Sequence, residues 1–338
     1  MVHQKRLVLD VSGWLQVYED GSVDRAWTGS SEVNFMIEPV QAHNHFVNGV
    51  AIRDVTSASG VRVRIYLPEK CPEDGEKLPV LLHLHGGGFC ISQADLYLYY
   101  QFYTRLARTA RVICVSAYLR LAPEHPLPAA CEDGYAALRW LGSEGQADPW
   151  LEPHADPWLE PHADFDRVFL IGDSSGGNLV HEVAARAGNG HDNLSSSLTL
   201  AGAIPIHPGF VRSTRSKSET EQPESPFLTL DMVDKFLALA LPAGSNKDHP
   251  ITCPMGSDMD GLRLPPMLLC VADKDLIKDT EMEYYEALKK AGKDVELLMS
   301  YNVGHSFYLN KIAVDLDPVT SAQTADLISG IATFINKH

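Results

Sequence analysis

The apolar run RVFLI at 167–171 leads without a break into Gly172-Asp173-Ser174-Ser175-Gly176, and the helix-like GNLVHEVAARAG follows at once. That order dictates a strand, a sharp turn and a helix, with a serine at the apex of the turn. Glycines two positions to either side of Ser174 are needed there, because side chains would collide as the chain doubles back. The same spacing selects Ser174 over its neighbour Ser175 as the exposed hydroxyl. It also puts the Ser175 amide at a helix N-terminus, where an N–H and the helix dipole favour negative charge on a bound oxygen.

A second glycine element points the same way. The run LPVLLHLHG enters His85-Gly86-Gly87-Gly88-Phe89. Three glycines after a strand remove the side chains that would keep backbone N–H groups away from a carbonyl oxygen.

A serine hydroxyl needs a base, and the base needs an orienting acid. The run DVELLMSYNVG is followed by His305, and PMLLCVA by Asp273, Asp275 and Asp279. Both lie beyond Ser174, at strand ends, where open α/β sheets keep their sites. His305 is the candidate base. Spacing alone does not choose among the three aspartates; a strand end followed by a short loop favours Asp275 as the acid, with Asp279 as runner-up because it is placed to cap the helix KDTEMEYYEALKKAG, and Asp273 still within the strand.

The rest of the chain agrees with a parallel sheet. From residue 78 onward, apolar runs (LPVLLHLHG, RVICVSAYL, RVFLIGD, LAGAIPIHP, PMLLCVAD, DVELLMSYNVG) alternate with amphipathic segments near 96–108, 129–141, 177–187, 231–241, 281–291 and 324–336. This is the pattern of strands covered by helices on both faces. Before residue 78 the text is β-rich. WLQVY and VDRAW flank EDGS, and VAIRDVT and VRVRIYL flank SASG, predicting two antiparallel hairpins.

Together HGGGF, LAPEHPLPAA, GDSSGGN, DKDLIKD and GHSFYL resemble the plant carboxylesterases of the hormone-sensitive-lipase group, over nearly the whole chain. VSGWLQVYEDGSVDRAWTG and GGGFCISQADLYLYYQFYTRLAR are similar to the hypersensitivity-related serine hydrolases within it. The resemblance implies one α/β-hydrolase domain over 1–338, with a mostly parallel sheet, helices on both faces, and residues 1–45 contributing to a cap. It implies Ser174 as nucleophile, Asp275 as acid, His305 as base, and the amides of Gly87, Gly88 and Ser175 as an oxyanion hole. Substrate selection is expected from the cap, Phe89, Leu276, Ile277 and the residues after 201–208. The expected reaction is hydrolysis of small carboxylic esters through an acyl-enzyme, with no cofactor and no metal. Relatives in which the same pocket performs elimination or cyclisation define an alternative. The gibberellin receptors, which resemble the group but lack the histidine, define a weaker one. Where the family reads S-V-D-Y-R-L-A-P-E-H, this chain has Tyr118 and Leu119 in place of Asp and Tyr, an expected change in packing near the site.

Composition narrows the partners. With 44 Asp and Glu against 28 Lys and Arg, the net charge of −16 repels nucleic acid and anionic membranes and otherwise serves solubility. No apolar stretch approaches the ~18 residues of a membrane span, no secretory leader is evident, and the six cysteines lack paired spacing. The expectation is a cytoplasmic protein with buried thiols, acting on a small-molecule ester, its oligomeric state open. One repeat stands out: ADPWLEPH occurs at 147–154 and again at 155–162. It reads as a duplicated surface loop rather than a metal site.

Overall fold

The computed structural model describes residues 5–69, 77–142, 162–190, 198–225 and 227–338. Near the N-terminus, β1 (Leu7–Asp10), β2 (Gln16–Tyr18) and β3 (Val23–Asp24) form a small antiparallel sheet. The expected EDGS hairpin is there, pairing Gln16 with Asp24 and Val17 with Val23. After the single-turn helix α1 (Asn34–Ile37) come β4 (His43–Val47), β5 (Val50–Thr56) and β6 (Arg62–Pro68), the last two forming the second expected hairpin.

Alternation then begins with β7 (Leu78–Leu84), α2 (Tyr97–Ala110), β8 (Ile113–Ala117) and α3 (Ala129–Leu141). It continues through β9 (Ala163–Asp173), α4 (Ser175–Gly188), β10 (Leu200–Ile206), α5 (Lys217–Glu221) and α6 (Leu230–Ala240). It ends with β11 (Met267–Ala272), α7 (Lys278–Lys290), β12 (Val295–Ser300), α8 (Lys311–Leu316) and α9 (Pro318–Lys337).

Among the described residues nine strands make one sheet in the order β12-β11-β10-β9-β7-β8-β6-β5-β4, parallel from β12 to β8 and antiparallel beyond. The central strands are apolar at consecutive positions because both faces are covered. On β7, Val80, Leu82 and Leu84 join the core under α3, α4 and α7, while Leu81 joins the core under α2 and α9.

β7 lies between β8 and β9, so the connections leaving β7 and β8 run to opposite sides of it. Such a reversal opens a crevice at the carboxyl ends of the strands. His85–Phe89 follow β7 and Ser174 follows β9, and the two strands are paired in register through Leu84 and Gly172. The fold therefore brings the two glycine elements together at one point.

The repeat at 147–162 lies outside the described residues except for His162, as does Cys71. The other five cysteines are buried free thiols. Among the described residues no helix is long and apolar enough to cross a membrane.

Candidate active site

Ser174 sits between β9 and α4 with φ 52° and ψ −124°, a conformation that L-residues rarely adopt. Its amide donates to Ile206 O at 3.0 Å, and its carbonyl accepts from Gly177 and Gly209 at 2.8 and 2.9 Å. These bonds hold the strained turn from three sides. A Cβ on Gly172 would stand 2.4 Å from Gly176 O, and one on Gly176 would stand 2.0 Å from Leu84 O. The glycines are thus required by close approach, as the spacing predicts.

His305, after β12, donates from Nδ1 to Asp275 Oδ2 over 2.6 Å, and both residues are buried. Asp275 Oδ1 accepts from the Ile277 amide at 3.1 Å. Burial by itself would raise the Asp275 carboxyl. The facing His305, with His207 and the Ile277 amide, outweighs this and holds it below the usual carboxylate range. With its proton on Nδ1, His305 keeps Nε2 as a free acceptor, and that atom has no partner among the described residues.

The glycine loop wraps the other side. Gly87 and Gly88 have φ 99° and 60°. The Gly86 amide donates to the Tyr99 hydroxyl at 3.1 Å and to Asp173 Oδ1 at 3.2 Å, and the Phe89 amide donates to Ser175 Oγ at 3.1 Å. Asp173 is buried beneath this loop and also faces His83 Nε2 at 3.4 Å. Burial keeps His83 neutral, pushing its imidazole down despite Asp173.

All these parts face one cavity of about 90 Å³. Ser174, Ser175, Gly87, Gly88, Phe89, Ile277 and His305 border it, and Asp275 stands behind His305. Leu276 does not border it. Its side chain is buried elsewhere and its carbonyl accepts from Ser218 Oγ at 2.7 Å. Asp279 lies in the first turn of α7, whose cap is Ile277, and accepts from the Ser218 amide at 2.8 Å instead of capping. Asp273 follows the end of β11, outside the strand. Tyr118 is under Arg62 and bonded to Asp54, away from the cavity, so the departure at 118 does not alter its wall.

Trp14 and Val211 fall in the two stretches expected to select substrate, the N-terminal segment and the residues after β10, though neither was singled out; Phe227, Met232 and Phe236, from α6 and its approach, were missed. None has a local signal, because they converge only in three dimensions. The Asp173 contact was hidden inside the serine motif itself.

Among the described residues one cluster could hold a metal ion: single ligand atoms of His207, Asp275 and His305 lie within 4.8 Å of one another. Two of these groups already share a hydrogen bond, and His207 Nδ1 accepts from the Ser306 amide at 2.9 Å. The donor set is engaged in orienting protons.

A family model described as alpha/beta hydrolase fold matches residues 81–309. The chain belongs to this family. The α/β-hydrolase is 31% identical over 337 residues to a probable carboxylesterase 6 of Arabidopsis thaliana, covering 98% of this chain and 92% of the relative. It is 36% identical to a 2-hydroxyisoflavanone dehydratase of Glycyrrhiza echinata, covering 95% and 94%. Among solved structures it resembles a hyperthermophilic esterase from Pyrobaculum calidifontis, with a TM-score of 0.67, 27% identity and 87% of each chain covered. The family thus holds carboxylesterase-type and other members, and this α/β-hydrolase carries the architecture they share.

Proposed function

We propose that the protein is a serine carboxylesterase acting on short, uncharged esters. The observation that carries this is that a strained serine and a histidine–aspartate pair border one apolar cavity: Ser174 at φ 52°, and His305 bonded to Asp275 at 2.6 Å with Nε2 unengaged. Nε2 takes the proton as Ser174 Oγ attacks the ester carbonyl. The carboxylate of Asp275 fixes the tautomer and stabilises the imidazolium that forms. Among the described residues no protein acceptor takes the amides of Gly87, Gly88 or Ser175. They are available to the oxyanion, at a helix N-terminus and in a loop whose glycines leave no side chain in the way. His305 then returns its proton to the leaving alcohol, and water repeats the sequence to free the acid.

Cavity chemistry supports the substrate class. Among the described residues the wall carries no Lys or Arg and is mostly aromatic and aliphatic. A water-sized group needs roughly 10–15 Å³ on this scale, so about 90 Å³ admits six to nine such groups, the size of a short acyl chain. The N-terminal segment, through Trp14, acts as part of the cap. Residues 1–338 are read as one domain and the protein as cytoplasmic, the latter from composition alone.

The test is hydrolysis of p-nitrophenyl acetate and butyrate by the wild-type protein and Ser174→Ala, with labelling by a serine-directed organophosphate. Expected are turnover and stoichiometric labelling for the wild type and loss of both in the variant. Hydrolysis that survives Ser174→Ala would overturn the assignment.

A further inference from the structure

His207 closes β10, fully buried, at φ 44°. Its amide donates to Cys270 O at 2.9 Å, tying it to β11. Its Nδ1 accepts the amide proton of Ser306, the residue next to His305, at 2.9 Å. Ser306 is itself left-handed, at φ 50°, and Ser174, whose amide bonds to Ile206 O beside His207, is at φ 52°. Three non-glycine residues with positive φ, His207 among them, are therefore joined here, Ser306 through the imidazole and Ser174 through the adjacent Ile206 carbonyl. Such strain persists only where the surroundings over-determine it.

We infer that His207 is a positioning residue for the reaction: through the Ser306 amide it holds the His305 loop against the strand end that carries the nucleophile turn. This rests on the esterase reading above. The imidazole suits the task because it offers an acceptor without charge. Burial pushes it down to about 4, so it is neutral at neutral pH. With Nδ1 accepting from an N–H, its own proton sits on Nε2. Its ring centre is 5.9 Å from that of His305. An acceptor lost at this point frees the Ser306 amide and lets the His305 ring turn out of line with Ser174 Oγ. Substrate binding, made by the apolar wall, is untouched.

The experiment compares His207→Leu, His207→Asn and His207→Gln with wild type and Ser174→Ala, using p-nitrophenyl butyrate and thermal unfolding. Asn presents an amide oxygen near the place of Nδ1, Gln reaches past it toward Nε2, and Leu has no acceptor. Expected is a fall in kcat of about thirtyfold for Leu with KM unchanged, the scale of leaving the buried Ser306 N–H with no acceptor at all rather than of the bond's net worth. Asn should recover at least tenfold of that loss, while Gln stays near Leu. An unchanged kcat in His207→Leu, or equal losses in Asn and Gln, overturns the inference. If His207→Leu does not fold, the Asn and Gln pair decides alone. Activity persisting in Ser174→Ala would instead sink the esterase reading, so the two failures are distinguishable.

Discussion

The Phe89 amide donates to the Ser175 hydroxyl at 3.1 Å, locking the glycine loop after β7 to the turn that presents Ser174. Residues far apart in sequence thereby hold two sets of N–H groups at a fixed separation. Ser175→Ala removes the acceptor but keeps the amide at the helix N-terminus. A neutral hydrogen bond is worth about 1 kcal/mol, so kcat for p-nitrophenyl butyrate should fall about fivefold with KM nearly unchanged. A rise in KM at constant kcat would show that the bond shapes the pocket rather than the oxyanion site.

On the esterase reading, the N-terminal segment should set chain-length preference. Trp14 borders the cavity, with its ring centre 4.5 Å from Trp27 and 6.4 Å from Phe227. Its segment is anchored by Arg25, which donates to Cys90 O at 2.6 Å and Ala122 O at 2.9 Å, and by Lys235, which donates to Asp10 O at 2.8 Å. Trp14→Ala should leave that anchorage and open the wall. Two further buried methylenes at about 0.8 kcal/mol each should raise the ratio of kcat/KM for p-nitrophenyl octanoate over butyrate about fifteenfold. A ratio that stays constant would place chain-length selection elsewhere.

The elbow glycines test backbone packing directly. A Cβ on Gly176 would meet Leu84 O at 2.0 Å and His85 C at 2.9 Å, atoms of a central strand end that cannot retreat. Gly176→Ala should therefore cost about 3 kcal/mol or more and give little folded protein. Gly244→Ala is the control for a left-handed glycine with open space around it, and should cost about 1 kcal/mol. Similar yields and melting temperatures for the two would contradict the packing argument.

How much of this the sequence discloses follows from where each constraint resides. Strands β7 to β11 were legible because burial on both faces writes a mostly apolar run, the half-buried edge strand β12 from its LLM stretch, and the Ser174 turn because its glycines meet the backbone of Gly176 and Leu84. β1 and β4 left no clear pattern: LVLD and HNHFV lie at edges, with mostly partly exposed side chains, so no alternation is enforced. His305 could be named as a candidate from its strand end, whereas three aspartates after β11 stayed open until the family resemblance singled out Asp275. Leu276 could not be excluded, since whether it faces the cavity depends on how the chain turns after β11. The Trp14 and Phe236 walls and the His207 contact are properties of long-range convergence, which no local window contains.

One buried group offers a pH-dependent measure of the site's surroundings. Glu281, on α7, is fully buried and neither of its carboxyl oxygens has a partner among the described residues. Burial, and then the nearby charge of Asp275, pushes its carboxyl well above the usual range. Below the ordinary glutamate range, both the folded and unfolded chains carry the proton, and folding is not opposed. As pH rises, the unfolded chain releases its proton while the folded chain keeps it. The stability associated with this group is lost steadily until pH passes the folded value. Glu281→Gln removes that dependence and keeps the shape. The variant should match wild type near pH 4.5 and gain on it through pH 8, the difference in melting temperature widening by about 2 °C or more. Paired melting curves at pH 4.5, 6 and 8 check this. A difference that narrows with rising pH would mean that the folded protein holds Glu281 ionised, with a stabilising partner for its charge.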